Sequence, residues 1–125
     1  MSEKILVVED NEQNRILLRY LLKHHGYEVI EAADGATGIA CAREQRPDLI
    51  LMDLQMPVLD GYTAIKLLKK DKATKDIKII AVTSFAMKGD REKALEAGAD
   101  GYISKPIDTE LLIGLIKGLL GEKLQ

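Results

Sequence analysis

The sequence predicts a doubly wound α/β fold: a five-stranded parallel sheet in the order 2-1-3-4-5, with five helices packed on its two faces. Three observations carry that expectation. Short apolar runs alternate with amphipathic runs five times in 125 residues. The apolar runs are too hydrophobic to leave a face in water, as expected of parallel strands covered on both sides by right-handed crossover helices. No repeat, low-complexity tract or Pro/Gly/Ser linker divides the chain, so residues 1–125 are expected to form one domain.

The first strand is "KILVV" (4–8), short, rich in β-branched residues and ended by charge. The helix over 11–24 carries Ile16, Leu17, Tyr20 and Leu21 on one face and stops at Gly26, a residue suited to ending helices. "YEVIEA" (27–32) leads into "GATGIACAREQ", which Pro47 closes. "DLILMD" (48–53) leads through a loop holding Pro57 into "GYTAIKLLKK". "KIIAVT" (78–83) leads into "KGDREKALEAG", and "GYIS" (101–104) into "TELLIGLIKGLL". Gly89 falls in the first turns of the expected fourth helix, at a cost of about 1 kcal/mol relative to Ala. That marginal start makes the fourth helix a candidate for the element that a switch would move.

Composition excludes several classes of function. With 46% hydrophobic and 30% charged residues the chain reads as an ordinary globular domain. Eighteen basic residues against 20 acidic ones give a net charge of −2, and the basic residues form no stripe, so nucleic acid is not an expected partner. The start "MSEKILVVED" turns acidic after too short an apolar run for a signal-peptide core or a spanning helix, so a cytoplasmic protein without a membrane partner is expected. Cys41 is the single cysteine; it excludes an intrachain disulfide and reads as a buried packing residue. His24 and His25 suit the negative end of the first helix, far from the opposite edge of the sheet. Met52 and Met56 read as packing, since thioethers are poor ligands for hard cations.

In a parallel sheet all strands end on one edge, and ligands bind there, where the strand order reverses. Glu9 and Asp10 leave the first strand where Asp53 leaves the third, so three carboxylates would meet in one shallow pocket. Like charges so close call for a cation, and oxygen donors without His or Cys favour Mg2+. Taken alone, Glu9 and Asp10 would read first as caps of the following helix. The fourth strand, however, ends in Thr83 followed by Ser84 and Phe85, and the fifth ends in Ser104, Lys105 and Pro106. A hydroxyl and an ammonium at the same edge are the donors that would hold the oxygens of a phosphoryl group during its transfer.

With these residues in place the chain resembles, over essentially its full length, the receiver domain of bacterial two-component response regulators, a flavodoxin-like fold. The resemblance rests on Glu9-Asp10 in "VVEDN", Asp53 in "LILMDLQMPVLDG", Thr83 in "AVTSFA" and Lys105-Pro106 in "YISKPID". It implies that Asp53 is a phosphoacceptor attacking the phosphohistidine of a sensor histidine kinase or histidine phosphotransferase. Asp10, Asp53 and the backbone carbonyl of Gln55 would bind Mg2+, with Glu9 acting mainly through a water. Lys105 would pair with a phosphoryl oxygen, Thr83 would swing inward to bond another, and Tyr102 would follow that movement. A cis peptide is implied at Lys105-Pro106. The protein would be no enzyme beyond its own phosphorylation and dephosphorylation.

The stretch "FAMKGDREKALEAGADGYISKPI" is similar both to single-domain regulators and to receivers of hybrid-kinase phosphorelays. A downstream protein would read the phosphorylated state on the face built from the fourth helix, fifth strand and fifth helix, with the chain a monomer or a phosphorylation-dependent dimer. The fifth helix is apolar almost all round, with Gly114 and Gly118 on one side, which fits a buried terminal helix and a partner surface equally. Gln55 and Phe85 would flank the path of a water attacking the acyl phosphate, and a phenyl ring there is expected to give a long-lived phosphoprotein. Two other classes fit less well. A Mg2+-dependent phosphatase of the haloacid dehalogenase kind needs a second Asp two residues after its nucleophile, where this chain has Gln55. A flavin or nucleotide binder needs a Gly-rich loop where this chain has "EDNEQN".

Overall fold

The computed structural model describes residues 3–56, 59–84 and 88–121. Strand and helix alternate throughout: β1 (Lys4–Val8), α1 (Glu12–His24), β2 (Glu28–Ala32), α2 (Gly35–Gln45), β3 (Leu49–Asp53), α3 (Gly61–Lys70), β4 (Lys78–Thr83), α4 (Asp90–Ala97), β5 (Gly101–Ser104) and α5 (Thr109–Leu120). The five strands form one sheet in the expected order β2-β1-β3-β4-β5, every pair parallel.

Successive strand residues point to opposite faces, and that alternation divides the interior into two cores. Leu6 and Val8, Ile50 and Met52, and Ile79 and Ala81 pack with α2, α3 and α4. Ile5 and Val7, Leu49 and Leu51, and Ile80 and Val82 pack with Leu18 and Leu22 of α1 and Leu112, Ile113 and Ile116 of α5. Burial on both faces is why these strands read as continuous apolar runs.

Helix starts follow capping chemistry. The side chains of Asn11, Asp34, Asp60 and Asp108 accept the N–H of Asn14, Thr37, Thr63 and Leu111 respectively, each satisfying a donor that the helix cannot. Asn11 is therefore the cap of α1, and the helix proper begins at Glu12. Tyr27 belongs to the end of α1 and not to β2: Gly26 turns left-handed at φ +88, and the Tyr27 N–H returns to the Leu22 carbonyl at 3.1 Å. Asp48 precedes β3 and accepts the Lys4 N–H at 2.8 Å, fastening the start of β1.

The fourth helix corrects the sequence reading. It spans Asp90–Ala97, shorter than 88–98, and Gly89 precedes it as a cap with φ +91. Gly89 therefore does not weaken the interior of α4; it supplies a backbone turn that other residues rarely adopt. Only Ala94 and Ala97 of α4 are buried, so few apolar groups anchor the helix. On α5, Leu112, Ile113 and Ile116 are buried, whereas Leu111 is 60% exposed and Gly114 and Gly118 face open space. The apolar character of that helix thus serves both the core and an outward face. Cys41, expected to be buried, is half-buried against the α2–α4 side of the core. Met52 and Met56 pack inside, and His24 and His25 lie exposed with their rings edge to face.

Candidate functional site

Sheet register brings the acidic residues together. Val8 of β1 pairs with Met52 of β3, so Glu9 emerges beside Asp53, the last residue of β3. One carboxylate oxygen from each of Glu9, Asp10 and Asp53 lies within 4.8 Å of the others. Glu9 and Asp53 are 3% and 4% exposed, while Asp10 faces solvent. Burial on the sheet side and access on the other is what an ion that keeps part of its water shell requires.

Lys105 reaches across from the end of β5. Its Nζ lies 2.6 Å from Glu9 Oε1 and 3.4 Å from Asp53 Oδ2. The Lys105-Pro106 peptide is cis, as the resemblance implied, and the Lys105 N–H donates to the Thr83 carbonyl at 2.7 Å. Besides the ion pair, Glu9 accepts the Asn11 N–H at 3.3 Å and the Asn14 side-chain amide at 3.2 Å at the start of α1, whose cap is Asn11. The Asp53 Oδ1 accepts the Gln55 N–H at 2.9 Å. Gly61 allows this packing, because a Cβ there would stand 2.7 Å from the Leu54 Cα.

Electrostatics separate the two buried carboxyls. Burial, followed by the contact with Glu9, pushes Asp53 up to about 7, against the opposing pull of the Gln55 N–H and the Lys105 charge. Burial also disfavours the charge on Glu9, but hydrogen bonding with Asp53 and Lys105 outweighs it and holds Glu9 at about 2. Burial likewise works against the Lys105 ammonium, yet its contacts with Glu9 and Asp53 leave its pKa raised. Without a cation, then, one ammonium does not compensate the cluster, and a proton stays on the pair near neutral pH. Three hard oxygen donors with excess negative charge and one open side fit Mg2+.

Thr83 is fully buried at the end of β4, and its Oγ1 accepts from Gln55 Nε2 at 2.6 Å. Tyr102 pairs with Ala81 in the sheet and packs half-buried against the α2–α4 side of the core. Its hydroxyl is raised by burial and then by the charges of Asp90 and Glu92 on α4, so the expected follower of Thr83 stands beside the helix it would influence. Phe85, the expected water shield, lies outside the described residues, as do Ala86 and Met87.

Several contributors escape a reading by strand ends. Asn14 and Arg15 brace Glu9, the latter donating to its carbonyl at 2.8 Å; their place in the first turn of the helix after an acidic strand end was the available signal. Tyr62 of α3 lies beneath the Lys93 ammonium, 4.6 Å from the ring centroid, joining α3 to α4, and its hydroxyl is raised by burial and then by the Asp90 charge. Beside the site, Leu17, Leu18 and Leu21 of α1 with Lys105, Pro106 and Ile107 line an apolar groove of about 490 Å³.

Residues 5–117 match the response regulator receiver domain family. The chain belongs to that family, the phosphorylation-signalling receivers of two-component systems. Among its relatives, the polar-differentiation response regulator DivK of Brucella anthropi is 47% identical over 122 residues, 98% of this chain and 99% of that protein; DivK of Brucella ovis is 46% identical over the same span. Among solved structures, the receiver domain of sensor histidine kinase PA1611 from Pseudomonas aeruginosa, with a magnesium ion coordinated in its active-site cleft, is 38% identical with a TM-score of 0.89, covering 98% of this chain and 100% of that one. Chemotaxis protein CheY4 of Vibrio cholerae is 29% identical with a TM-score of 0.89, covering 95% and 99%. The family and fold expected from the sequence therefore hold. No helix among the described residues is long and apolar enough to cross a membrane.

Proposed function

We propose that this receiver accepts a phosphoryl group from a phosphohistidine onto Asp53 and passes the signal on through protein contacts. The observation that carries the reading is the Asp53 carboxylate, buried at the end of β3, bracketed by Glu9 and Asp10 and faced at 3.4 Å by the Lys105 ammonium. An Asp53 oxygen attacks phosphorus as the bond to the donor imidazole nitrogen breaks; the electron pair leaves with the imidazole, and an aspartyl phosphate remains. Glu9, Asp10, Asp53 and the Gln55 carbonyl would hold Mg2+, Glu9 through a water. Held by these groups, Mg2+ would supply charge neutralisation for the carboxylates and the phosphoryl oxygens. Lys105 trades part of its pairing with Glu9 and Asp53 for a phosphoryl oxygen, Thr83 turns its hydroxyl toward another, and Tyr102 follows.

The groove between α1 and the β5–α5 connection suits the donor protein, because Lys105 lines both groove and site. A helix seated on Leu17 and Leu21 would hold its phosphohistidine beside Asp53. The outward face of α5, with Leu111, Gly114 and Gly118, together with α4 and β5, suits the downstream target. The 47% identity to the polar-differentiation response regulator DivK of Brucella anthropi, against 38% to the receiver domain of a sensor histidine kinase, supports a regulator of the DivK kind, and a cytoplasmic setting suits such a partner set.

Incubation with radiolabelled acetyl phosphate and Mg2+ tests the reading. Wild-type protein should take up label, Asp53→Asn should not, and neither should release phosphate catalytically from a phosphomonoester. Labelling of Asp53→Asn at the wild-type level overturns it.

A further inference from the structure

Gln55 stands two residues beyond Asp53, yet its side chain does not stay with the phosphoacceptor loop. Nε2 donates to Thr83 Oγ1 at 2.6 Å, and Oε1 accepts the Ser84 N–H at 2.8 Å. One planar carboxamide thereby binds two successive residues at the point where β4 gives way to the connection leading to α4. The Gln55 N–H meanwhile donates to Asp53 Oδ1 at 2.9 Å. A single residue thus holds the phosphoacceptor with its main chain and the switch hydroxyl with its side chain.

The two bonds and a turned Thr83 exclude each other. Threonine occupies staggered χ1 wells, and passing from one to the next carries its hydroxyl oxygen roughly 2 Å. A bond of 2.6 Å does not survive such a displacement unless the amide follows, and the amide is held in place by Ser84.

We infer that the Gln55 carboxamide is a clasp that fixes Thr83 and Ser84 in the unphosphorylated arrangement, so that phosphorylation must open it before β4 can signal to α4. The inference rests on the proposed reading that Thr83 turns toward a phosphoryl group on Asp53. Gln55 acts here as a positioning residue, through Thr83. Glutamine length matters: asparagine is one methylene shorter and cannot reach both partners from the same backbone position.

Opening two neutral hydrogen bonds is a small but decisive bias. Removing the clasp should raise the ratio of active-like to inactive-like conformer in unphosphorylated protein by roughly 5- to 30-fold. Gln55→Met keeps side-chain length and bulk while removing both bonds, and so separates the clasp from packing; Gln55→Asn tests reach.

Side-chain and backbone NMR on the full chain read this directly, with Mg2+ and beryllofluoride as the phosphoryl mimic. In wild type the Gln55 side-chain amide should be protected from solvent exchange, and beryllofluoride should abolish that protection while shifting the Ser84 and Tyr102 amides. In Gln55→Met and Gln55→Asn without the mimic, the Ser84 and Tyr102 amides should already lie displaced along the line joining the two wild-type states. A Gln55 amide that stays equally protected when beryllofluoride binds overturns the clasp, even where the wild-type backbone shifts and label uptake uphold the phosphoacceptor reading. Variant amides at the wild-type unliganded positions overturn it too. A wild-type spectrum untouched by beryllofluoride, with no label uptake from acetyl phosphate, overturns the phosphoacceptor reading and the clasp with it.

Discussion

Replacing Asp53 with Asn should flatten the pH dependence of stability in metal-free protein. In the folded chain, burial and the neighbouring Glu9 raise Asp53 from 3.8 to about 7, which corresponds to at most about 4 kcal/mol. The sign follows from linkage. A carboxyl whose folded pKa is raised favours the folded state while it keeps its proton, and that contribution disappears as pH rises through about 7. Glu9 works in the opposite sense: held at about 2 against an ordinary 4.5, it contributes stability above 4.5 that is lost as pH falls through 2. Between pH 5 and 9 the Asp53 contribution therefore dominates, and wild-type protein in chelator should lose stability across that window. For a domain of this size each kcal/mol moves Tm by about 3–5 °C, so a fall on the order of 10 °C is expected. Asp53→Asn removes the titrating group while Lys105 keeps Glu9 at 2.6 Å, so the variant should show a nearly level profile and equal or exceed wild type at pH 8. Melting followed by circular dichroism across the pH series measures this, and added Mg2+ should abolish the wild-type fall. A wild-type Tm that is level or rising from pH 5 to 9 in chelator would refute the reasoning.

Four other substitutions distinguish the roles of the site residues. Asp10→Ala removes an exposed carboxylate and should weaken Mg2+ binding with little change in Tm, whereas Glu9→Ala should weaken it less but lower Tm, because it strips Lys105 of its 2.6 Å partner; calorimetric titration and melting together check the order. Lys105→Ala leaves Glu9 and Asp53 without their ammonium, so metal-free stability should drop by on the order of 3 kcal/mol while Mg2+ affinity holds or rises and phosphorylation no longer alters target binding. Gly61→Ala would force a Cβ to within 2.7 Å of the Leu54 backbone; a loss of about 1–3 kcal/mol and slower label uptake are expected, and wild-type behaviour in both assays would show that α3 can yield.

How much of this was legible in the sequence follows from how locally each feature is encoded. The three central strands β1, β3 and β4 announced themselves because burial on both faces leaves no polar alternation, as "LILM" before Asp53 shows. The acidic cluster and Lys105 were legible because parallel topology sends every strand end to one edge, so Glu9, Asp10, Asp53, Thr83 and Lys105 could be placed together without knowing a distance. The start of α4 was not, because a glycine in a helical pattern does not declare whether it lies inside the helix or caps it in the left-handed region; Gly89 does the latter. The two-sided character of α5 stayed open for a similar reason, since apolar residues all round the helix fit either burial or an outward face, and Leu112 and Leu111 divide between the two. The bonds from Gln55 to Thr83 and Ser84, and from Asn14 to Glu9, depend on side-chain reach between loops distant in the chain, which neither composition nor periodicity records.

The central claim is that Asp53 itself carries the phosphoryl group, and reductive trapping tests it most directly. Borohydride converts an aspartyl phosphate to homoserine, leaving unmodified carboxylates alone. Protein phosphorylated by acetyl phosphate with Mg2+, reduced and digested should yield homoserine at position 53 in mass spectra, with none in a sample kept in chelator. Homoserine at Asp10 or Glu9 converted to its reduced counterpart, or label that survives with position 53 still aspartate, would contradict the account.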